Sequence, residues 1–441
     1  MKKSSHHLVA HLVTTLILFA LSAGAYAQDP EGGYVSRKEY EELKQEMLAL
    51  KKELDGLKKE KATAPTEKAE QAPPPSAGLS EESHKATAEP SAVPELPTLG
   101  TTKFYIAGDA EATFEARNRS ISTFSASFNP IFLWELTPKF LFEGHVEFEL
   151  TDTGTDVGLQ YAQLTYLLND YITLGAGEFL TPSNIFIERY HAQWINKLPD
   201  RPLAVFDGIL GESSLGAEVR GGFPIGPTRA NYAFYVSNGP RLITDDPEAA
   251  GMLDFDNFTD NNDDKAVGGR IGFLPIPGIE VGYAFETAKP GDQGTAFARV
   301  RSWIQSVDLN VSRDSDFLRG RIDLRAQYAW SKVDRAVYDP DGSLGFGPLS
   351  FSNKRDGGYV QVAYRPTKAE AEFLRNFEAV FRWDHVNQAP GGPGASDEQR
   401  WTLGLDYWLG PITAVKVAYE WDSPHGEPNT NAVLLQAVTG F

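Results

Sequence analysis

From Thr101 to Phe441 apolar and polar residues take turns in short segments separated by Gly, Asn, Asp and Pro. A period of two belongs to a β-strand whose faces meet different surroundings. In residues 103–117, Phe104, Ile106, Gly108, Ala110, Ala112 and Phe114 make one face, and Asp109, Glu111, Thr113, Glu115 and Arg117 the other. In 139–150, Phe140, Phe142, Val146, Phe148 and Leu150 oppose Glu143, His145, Glu147 and Glu149. In 318–328, Leu318, Ile322, Leu324, Ala326 and Tyr328 oppose Arg319, Arg321, Asp323, Arg325 and Gln327. A soluble sandwich alternates too, but its outer faces meet bulk water and favour Thr, Ser and Lys. Dense carboxylates and guanidiniums suit a water-filled lumen, with the apolar faces turned to lipid.

Only helices and closed barrels satisfy their backbone groups in lipid. No apolar run of about 20 residues, the length a spanning helix needs, follows residue 27. The reading is therefore an all-β transmembrane barrel over 101–441. A spanning strand takes about 9–11 residues and, with its connection, about 20. That length predicts 16 antiparallel strands, with 18 the neighbouring even count, and a barrel of this size leaves an aqueous channel. Phe104, Tyr105, Tyr171, Trp330, Tyr407, Trp408, Tyr419 and Trp421 lie near segment ends, as interfacial girdles require. The net charge of −19 argues against a nucleic-acid partner. The absence of cysteine excludes a disulfide framework, cysteine-ligated zinc and a thiol nucleophile.

The N-terminal hundred residues read differently. Lys2 and Lys3, the apolar run Leu12 to Ala25 and the Ala25-Tyr26-Ala27 signal form a cleavable leader, 1–27, with an N-terminal membrane anchor as the alternative. The mature N-terminus occupies 28–38. Over 39–61, Tyr40, Leu43, Met47, Leu50, Leu54 and Leu57 repeat at 3-4-3-4-3, a heptad seam with these residues at a and d. Glu39, Glu46 and Glu53 then fall at g, and Lys44, Lys51 and Lys58 at e, so every g-to-e pair of a parallel coil joins Glu to Lys. The expected element is a short α-helical coiled coil that brings copies of the chain together. Residues 62–100 form a Pro-, Ala- and Glu-rich linker too poor in large apolar residues to repay folding entropy.

The last residues, Ala432-Val433-Leu434-Leu435-Gln436-Ala437-Val438-Thr439-Gly440-Phe441, place Val433, Leu435 and Ala437 on one face with Phe441. This strand resembles the C-terminal signal of bacterial outer-membrane proteins, which implies that Phe441 is read by the barrel assembly machinery. Residues 101–441 as a whole resemble the Gram-negative porin superfamily. The stretches Phe186-Ile187-Glu188-Arg189-Tyr190 and Asn196-Lys197-Leu198-Pro199-Asp200-Arg201-Pro202 are similar to the phosphate-selective porin O and P type. No triple-lysine cluster of the kind a phosphate pore uses accompanies them. The resemblance implies an outer-membrane location amid lipid and lipopolysaccharide, a periplasmic coil, a homotrimer and no cofactor.

It also implies a loop that follows the fifth strand, Tyr171–Leu180, and folds into the channel. Thr181–Pro202 is that segment, and its constriction candidates are Glu188, Arg189, His191, Lys197, Asp200 and Arg201. The alternative is an ordinary external loop. An acidic wall could comprise Asp109, Glu111, Glu115, Glu143, Glu147 and Glu149. A basic wall could comprise Arg299, Arg301, Arg319, Arg321 and Arg325, and the two would set up a transverse field. Residues 101–441 carry 29 Lys and Arg against 45 Asp and Glu, a balance of −16 that favours cations. Asp245, Asp246, Glu248, Asp254, Asp256, Asp260, Asp263 and Asp264 read as a solvated acidic loop rather than a divalent-cation site.

Four functions compete. The first is passive diffusion of small hydrophilic solutes and ions. The second is selective uptake of phosphate or another anion, a sugar or an organic acid; Trp194 could stack on a sugar. The third is a structural role in the envelope through the coil. The fourth, an enzyme, lacks support: the barrel region holds only His145, His191, His385 and His425, and neither a G-x-S-x-G elbow nor an H-E-x-x-H pair occurs.

Overall fold

A computed structural model describes residues 103–151, 154–206 and 209–441. The leader, heptad seam and Pro-rich linker lie outside the described residues. The first five strands are β1 (Lys103–Arg117), β2 (Thr123–Thr137), β3 (Phe140–Thr151), β4 (Gly154–Asn169) and β5 (Ile172–Leu180). Two short helices follow, α1 (Ile185–Tyr190) and α2 (Leu203–Phe206). Then come β6 (Ser213–Ile225), β7 (Thr228–Ser237), the two-residue strands β8 (Arg241–Leu242) and β9 (Leu253–Asp254), β10 (Ala266–Ile276) and β11 (Ile279–Ala288). The chain ends with β12 (Ser302–Ser315), β13 (Gly320–Val333), β14 (Lys354–Arg365), helix α3 (Glu372–Arg375), β15 (Phe377–Asn387), β16 (Asp397–Trp408), β17 (Thr413–Pro424) and β18 (Thr430–Gly440).

Sixteen of these strands form a closed antiparallel barrel. β8 and β9 pair only with each other, in the connection between β7 and β10. Closure is made by β1 against β18, from Asp109 opposite Gly440 to Arg117 opposite Ala432. It leaves no open edge among the sixteen strands, which is what allows such a sheet to stand in lipid. Most connections at the end where β1 starts and β18 finishes are short turns, the one between β14 and β15 with α3 excepted, and the long connections lie at the other end. We call these the turn end and the loop end.

The outer surface is apolar and exposed: Phe104, Phe128, Trp134, Leu164, Ile271, Trp303, Phe381, Leu403 and Leu435 all project from it. Cross-strand ring pairs tie it together, among them Phe114 with Phe124 at 4.7 Å and Phe377 with Tyr407 at 4.9 Å. Trp408 departs from its expected girdle position. Its ring turns inward, packs with Trp194, Ala414 and Val438, and donates from Nε1 to Glu378 at 2.9 Å. It lies at the end of β16, where Asn376 takes its backbone N–H, so the strand's alternation places it inside.

The lumen is filled unevenly. On β12 to β18 the inward residues are buried, including Ser306, Ala329, Gln361, Arg382, Thr402, Ala418 and Gln436. On β1 and β3 the inward residues Glu111, Glu115, Glu143 and Glu147 remain part-exposed. What covers the first set is chain from the connections. Leu203, Ala204, Ile209 and Leu210 join Leu242, Leu253, Val300, Tyr338 and Phe351 from other loop-end connections in one apolar cluster against Ile304, Ala329, Val333 and Val386 of the wall. Each large apolar side chain buried there contributes roughly 1.5–3 kcal/mol. The loop-end half of the lumen along β12 to β15 is thereby filled with protein.

Candidate functional site: a loop folded into the barrel

β5 carries an irregularity at Gly177, three residues before its end. Its φ of +122°, and the 2.3 Å that would separate a Cβ from the Ala162 carbonyl, require glycine there. The irregularity turns both Glu178 and Phe179 to buried positions just before the strand ends. Asn184 caps α1 by accepting from the Ile187 N–H. Ile185, Phe186 and Ile187 are completely or almost completely buried, and Phe186 meets Tyr359 of β14 edge to face at 5.7 Å. The segment Thr181–Pro202 therefore lies within the barrel.

It is fastened to the wall around most of the circumference. Ser306 of β12 and Gln327 of β13 donate to the Ser183 carbonyl at 2.8 and 2.7 Å. Arg189 donates to Glu280 of β11 at 2.7 Å, and Tyr190 to Asn310 of β12 at 2.8 Å. Arg325 of β13 lies 4.0 Å over the Tyr190 ring and donates to the Ile195 carbonyl at 3.2 Å. Lys416 of β17 donates to the carbonyls of Gln193 and Asn196, both at 2.6 Å. Lys197 pairs with Glu378 of β15, and Arg220 of β6 with Glu188. The Gln193 N–H donates to Asp109 of β1 at 3.1 Å.

Asp200 is the node of this lattice. Its Oδ2 accepts from Arg382 of β15 at 2.7 Å and from Arg400 of β16 at 2.8 Å. Burial opposes ionisation of Asp200, but the two guanidiniums outweigh it and hold the carboxyl below its usual range. Arg382 also binds Asp384 at 2.8 Å, and Arg400 binds Asp422 at 2.5 Å. Arg117 of β1 joins the group through Glu115, Glu420 and Asp422. The network thus crosses the barrel closure between β1 and β18. On the other flank, His191 meets His145 of β3 with ring centroids 5.6 Å apart. Burial, reinforced by the Arg201 charge, pushes His191 down to about 4, so it is neutral at pH 7. Burial raises Glu212 despite the opposing charge of Arg201, which donates to it at 3.3 Å.

The constriction candidates thus share one loop in the lumen, and all six have a charged partner or a close neighbour. Of the acidic set, Asp109, Glu111, Glu115, Glu143 and Glu147 occupy β1 and β3; Tyr161 donates to Glu143 at 2.8 Å and Ser127 to Glu111 at 3.2 Å. Glu149 lies exposed near the loop end of β3. The five arginines offered as a basic wall do not meet. Arg299 and Arg301 lie exposed in the connection between β11 and β12. Arg319 lies in the turn between β12 and β13 with φ +52°, and Arg321 is exposed two residues on. Arg325 alone of the five reaches the loop. The other wall bases that do so are Arg220, Arg382, Arg400 and Lys416. A legible signal marked three of them: a single charge between apolar neighbours, as in Phe381-Arg382-Trp383 and Val415-Lys416-Val417, or an alternation as in Arg400-Trp401. A strand bearing one such charge must turn it inward. The acidic run 245–264 lies in the loop-end connection holding β8 and β9, where its carboxylates bind Arg241, Lys265 and Lys289.

Comparison with known proteins gives a likeness of fold. An anion-selective porin from Comamonas acidovorans superposes with a TM-score of 0.50 at 10% identity, over 77% of this chain and 100% of that one. The outer membrane channel DcaP of Acinetobacter baumannii matches with a TM-score of 0.49 at 13% identity, over 77% and 97%. OmpF of Salmonella typhi, in complex with daunomycin, matches with a TM-score of 0.49 at 12% identity, over 77% and 98%. No family model matches the sequence, and no curated protein does. The chain is a closed sixteen-stranded antiparallel barrel of porin-like fold with its fifth connection folded inside.

Proposed function

We propose that this protein is an outer-membrane channel through which small hydrophilic solutes and ions diffuse passively, without cofactor or energy coupling. The observation that carries the reading is the Thr181–Pro202 loop, pinned inside a closed barrel by the Asp200 node and Lys416 while the acid-bearing wall of β1 and β3 stays open to water. A loop so placed narrows a lumen without filling it, and part-exposed carboxylates along the open side favour cations over anions of the same size. The apolar outer face supports a place in lipid, with the acidic loop end toward lipopolysaccharide and the turn end toward the periplasm. The heptad seam supports association of copies of the chain through a periplasmic coil, and together with the porin resemblance it favours a homotrimer; the Phe441 strand supports delivery through the barrel assembly machinery.

The test is single-channel recording of refolded full-length protein in a planar bilayer under a KCl gradient. Stepwise conductance in threes with a reversal potential on the cation side is the expected result. A folded barrel that conducts nothing would overturn the reading in favour of a structural role.

A further inference from the structure

Beneath the loop, on the turn-end side, seven charged groups alternate in a single row. Glu218 of β6 stands 3.5 Å from Arg220, and Arg220 pairs with Glu188 of α1. Glu188 lies 3.5 Å from Arg189, which binds Glu280 at 2.7 Å. Glu280 accepts from Arg270 of β10 at 2.9 Å, and Arg270 binds Asp308 of β12 at 2.7 Å. This row borders a cavity of about 330 Å³ lined by Thr173, Glu188, Arg189, Arg220, Asn231 and Arg270.

By charge alone the row is balanced toward acid, with four carboxylates and three guanidiniums. Exposure reverses what a solute in the cavity meets. The side chains of Arg220 and Arg189 are 36% and 33% exposed, while those of Glu218, Glu188 and Glu280 are 2%, 7% and 11% exposed. The carboxylates are spent behind the guanidiniums and hold them rigid. Arg189 commits Nη1 to Glu280, and Arg220 commits Nη2 to Glu188. Arg189 Nε also faces Glu188 and Arg220 Nη1 faces Glu218, each at 3.5 Å, which leaves Nη2 of Arg189 and Nε of Arg220 for a solute in the cavity. The two guanidiniums together can donate charge-assisted hydrogen bonds to the two oxygens of one carboxylate.

We propose that this cavity is a solute-retaining site for a small monocarboxylate, held by Arg189 and Arg220 as it leaves the constriction. The inference rests on the channel reading. A monoanion is favoured over a phosphate dianion because the buried acids behind the arginines penalise each further negative charge. The cavity has room for one small organic acid. Retention must be weak, since a passing solute has to leave again; the half-saturating concentration is expected in the millimolar range. Bulk cation preference is unaffected, because it is set on the β1 and β3 wall.

The experiment records open-channel current noise in KCl with butyrate added on the turn-end side, against its neutral isostere butyramide and against inorganic phosphate. Butyrate is expected to give saturable excess noise and butyramide none. Arg189→Gln should raise the half-saturating concentration about tenfold or more, the loss expected for a charge-assisted hydrogen bond. Arg220→Lys, which keeps the charge and the pairing with Glu188, should weaken retention less than Arg189→Gln and serves if the latter misfolds. Arg335→Gln, the same charge change in an exposed loop-end connection, should change nothing. Equal noise from butyrate and butyramide, or an unchanged half-saturation in both cavity variants, overturns the site. Tighter retention of phosphate than of butyrate overturns the carboxylate assignment. Absence of KCl conductance in the unmodified protein would instead defeat the channel reading itself.

Discussion

Asp200→Asn is the substitution whose effect can be worked furthest from the structure. The change keeps the side chain's shape and removes the charge that Arg382 and Arg400 share at 2.7 and 2.8 Å. A hydrogen bond to a charged group is worth roughly 1.5–3 kcal/mol. Both guanidiniums retain a second carboxylate, Asp384 and Asp422 respectively, so neither is left alone in the wall and the full penalty of breaking a buried pair is not incurred. Docking of residues 198–201 should weaken by about 2–3 kcal/mol, which raises the population of the undocked loop roughly 30- to 160-fold. The protein has no cysteine, so a single introduced thiol reports that population. Thr402→Cys on β16 is fully buried, flanked by Arg400, which holds Asp200, and by Gly404, which Leu198 overlies. Its modification by a small water-soluble reagent is limited by loop opening and should accelerate by the same factor in Asp200→Asn. Glu115→Cys, at a part-exposed lumen position, controls for reagent entry and should not accelerate. A rate at position 402 unchanged within twofold would refute the assignment of Asp200 as the loop's anchor.

Three further outcomes follow from the same geometry. Combined Glu143→Gln and Glu147→Gln should move the KCl reversal potential toward the anion side without closing the channel, since both acids lie on the open wall; an unmoved potential would place the filter elsewhere. His191 is held at about 4 in the folded protein against an ordinary 6.5. Its protonated form is therefore disfavoured by folding, so stability is fully present above pH 6.5 and is lost as pH falls through 4, by about 3 kcal/mol at most. Denaturant midpoints measured across that window should show the fall, and His191→Gln should flatten it. Phe441→Ala removes a ring stacked on Phe128 at 5.5 Å but keeps the terminal backbone pairing with Gly108. Being half-exposed, the ring is worth only about 1 kcal/mol in the folded barrel, so a large loss of assembled protein in cells with little change in refolded stability would locate its role in assembly.

How much could be read in advance depended on the range of the interactions involved. Alternation is a property of neighbouring residues, so Phe140 to Leu150 announced a strand with two faces, and the span from 101 to 441 announced sixteen of them. The place of the inward loop could also be expected, and its charges Glu188, Arg189, Lys197 and Asp200 stood out in sequence. The partners of those charges were a different matter. Arg382 and Arg400 lie 182 and 200 positions from Asp200, and Lys416 lies 220 from Asn196. Only closure of the sheet brings such residues within reach, and its register decides which. The same cause scattered the supposed basic wall. Arg299, Arg301, Arg319 and Arg321 share a charge and a region of sequence, but strand ends fall between them, and a residue beyond a strand end no longer obeys its alternation. Trp408 faces inward because it keeps the alternation of β16 to that strand's last residue. Local chemistry thus determined which faces this chain turns outward and which toward the lumen. The tertiary structure alone decided which charges neutralise one another and which remain to meet a solute, because electrostatic pairing depends on distances that no stretch of sequence contains.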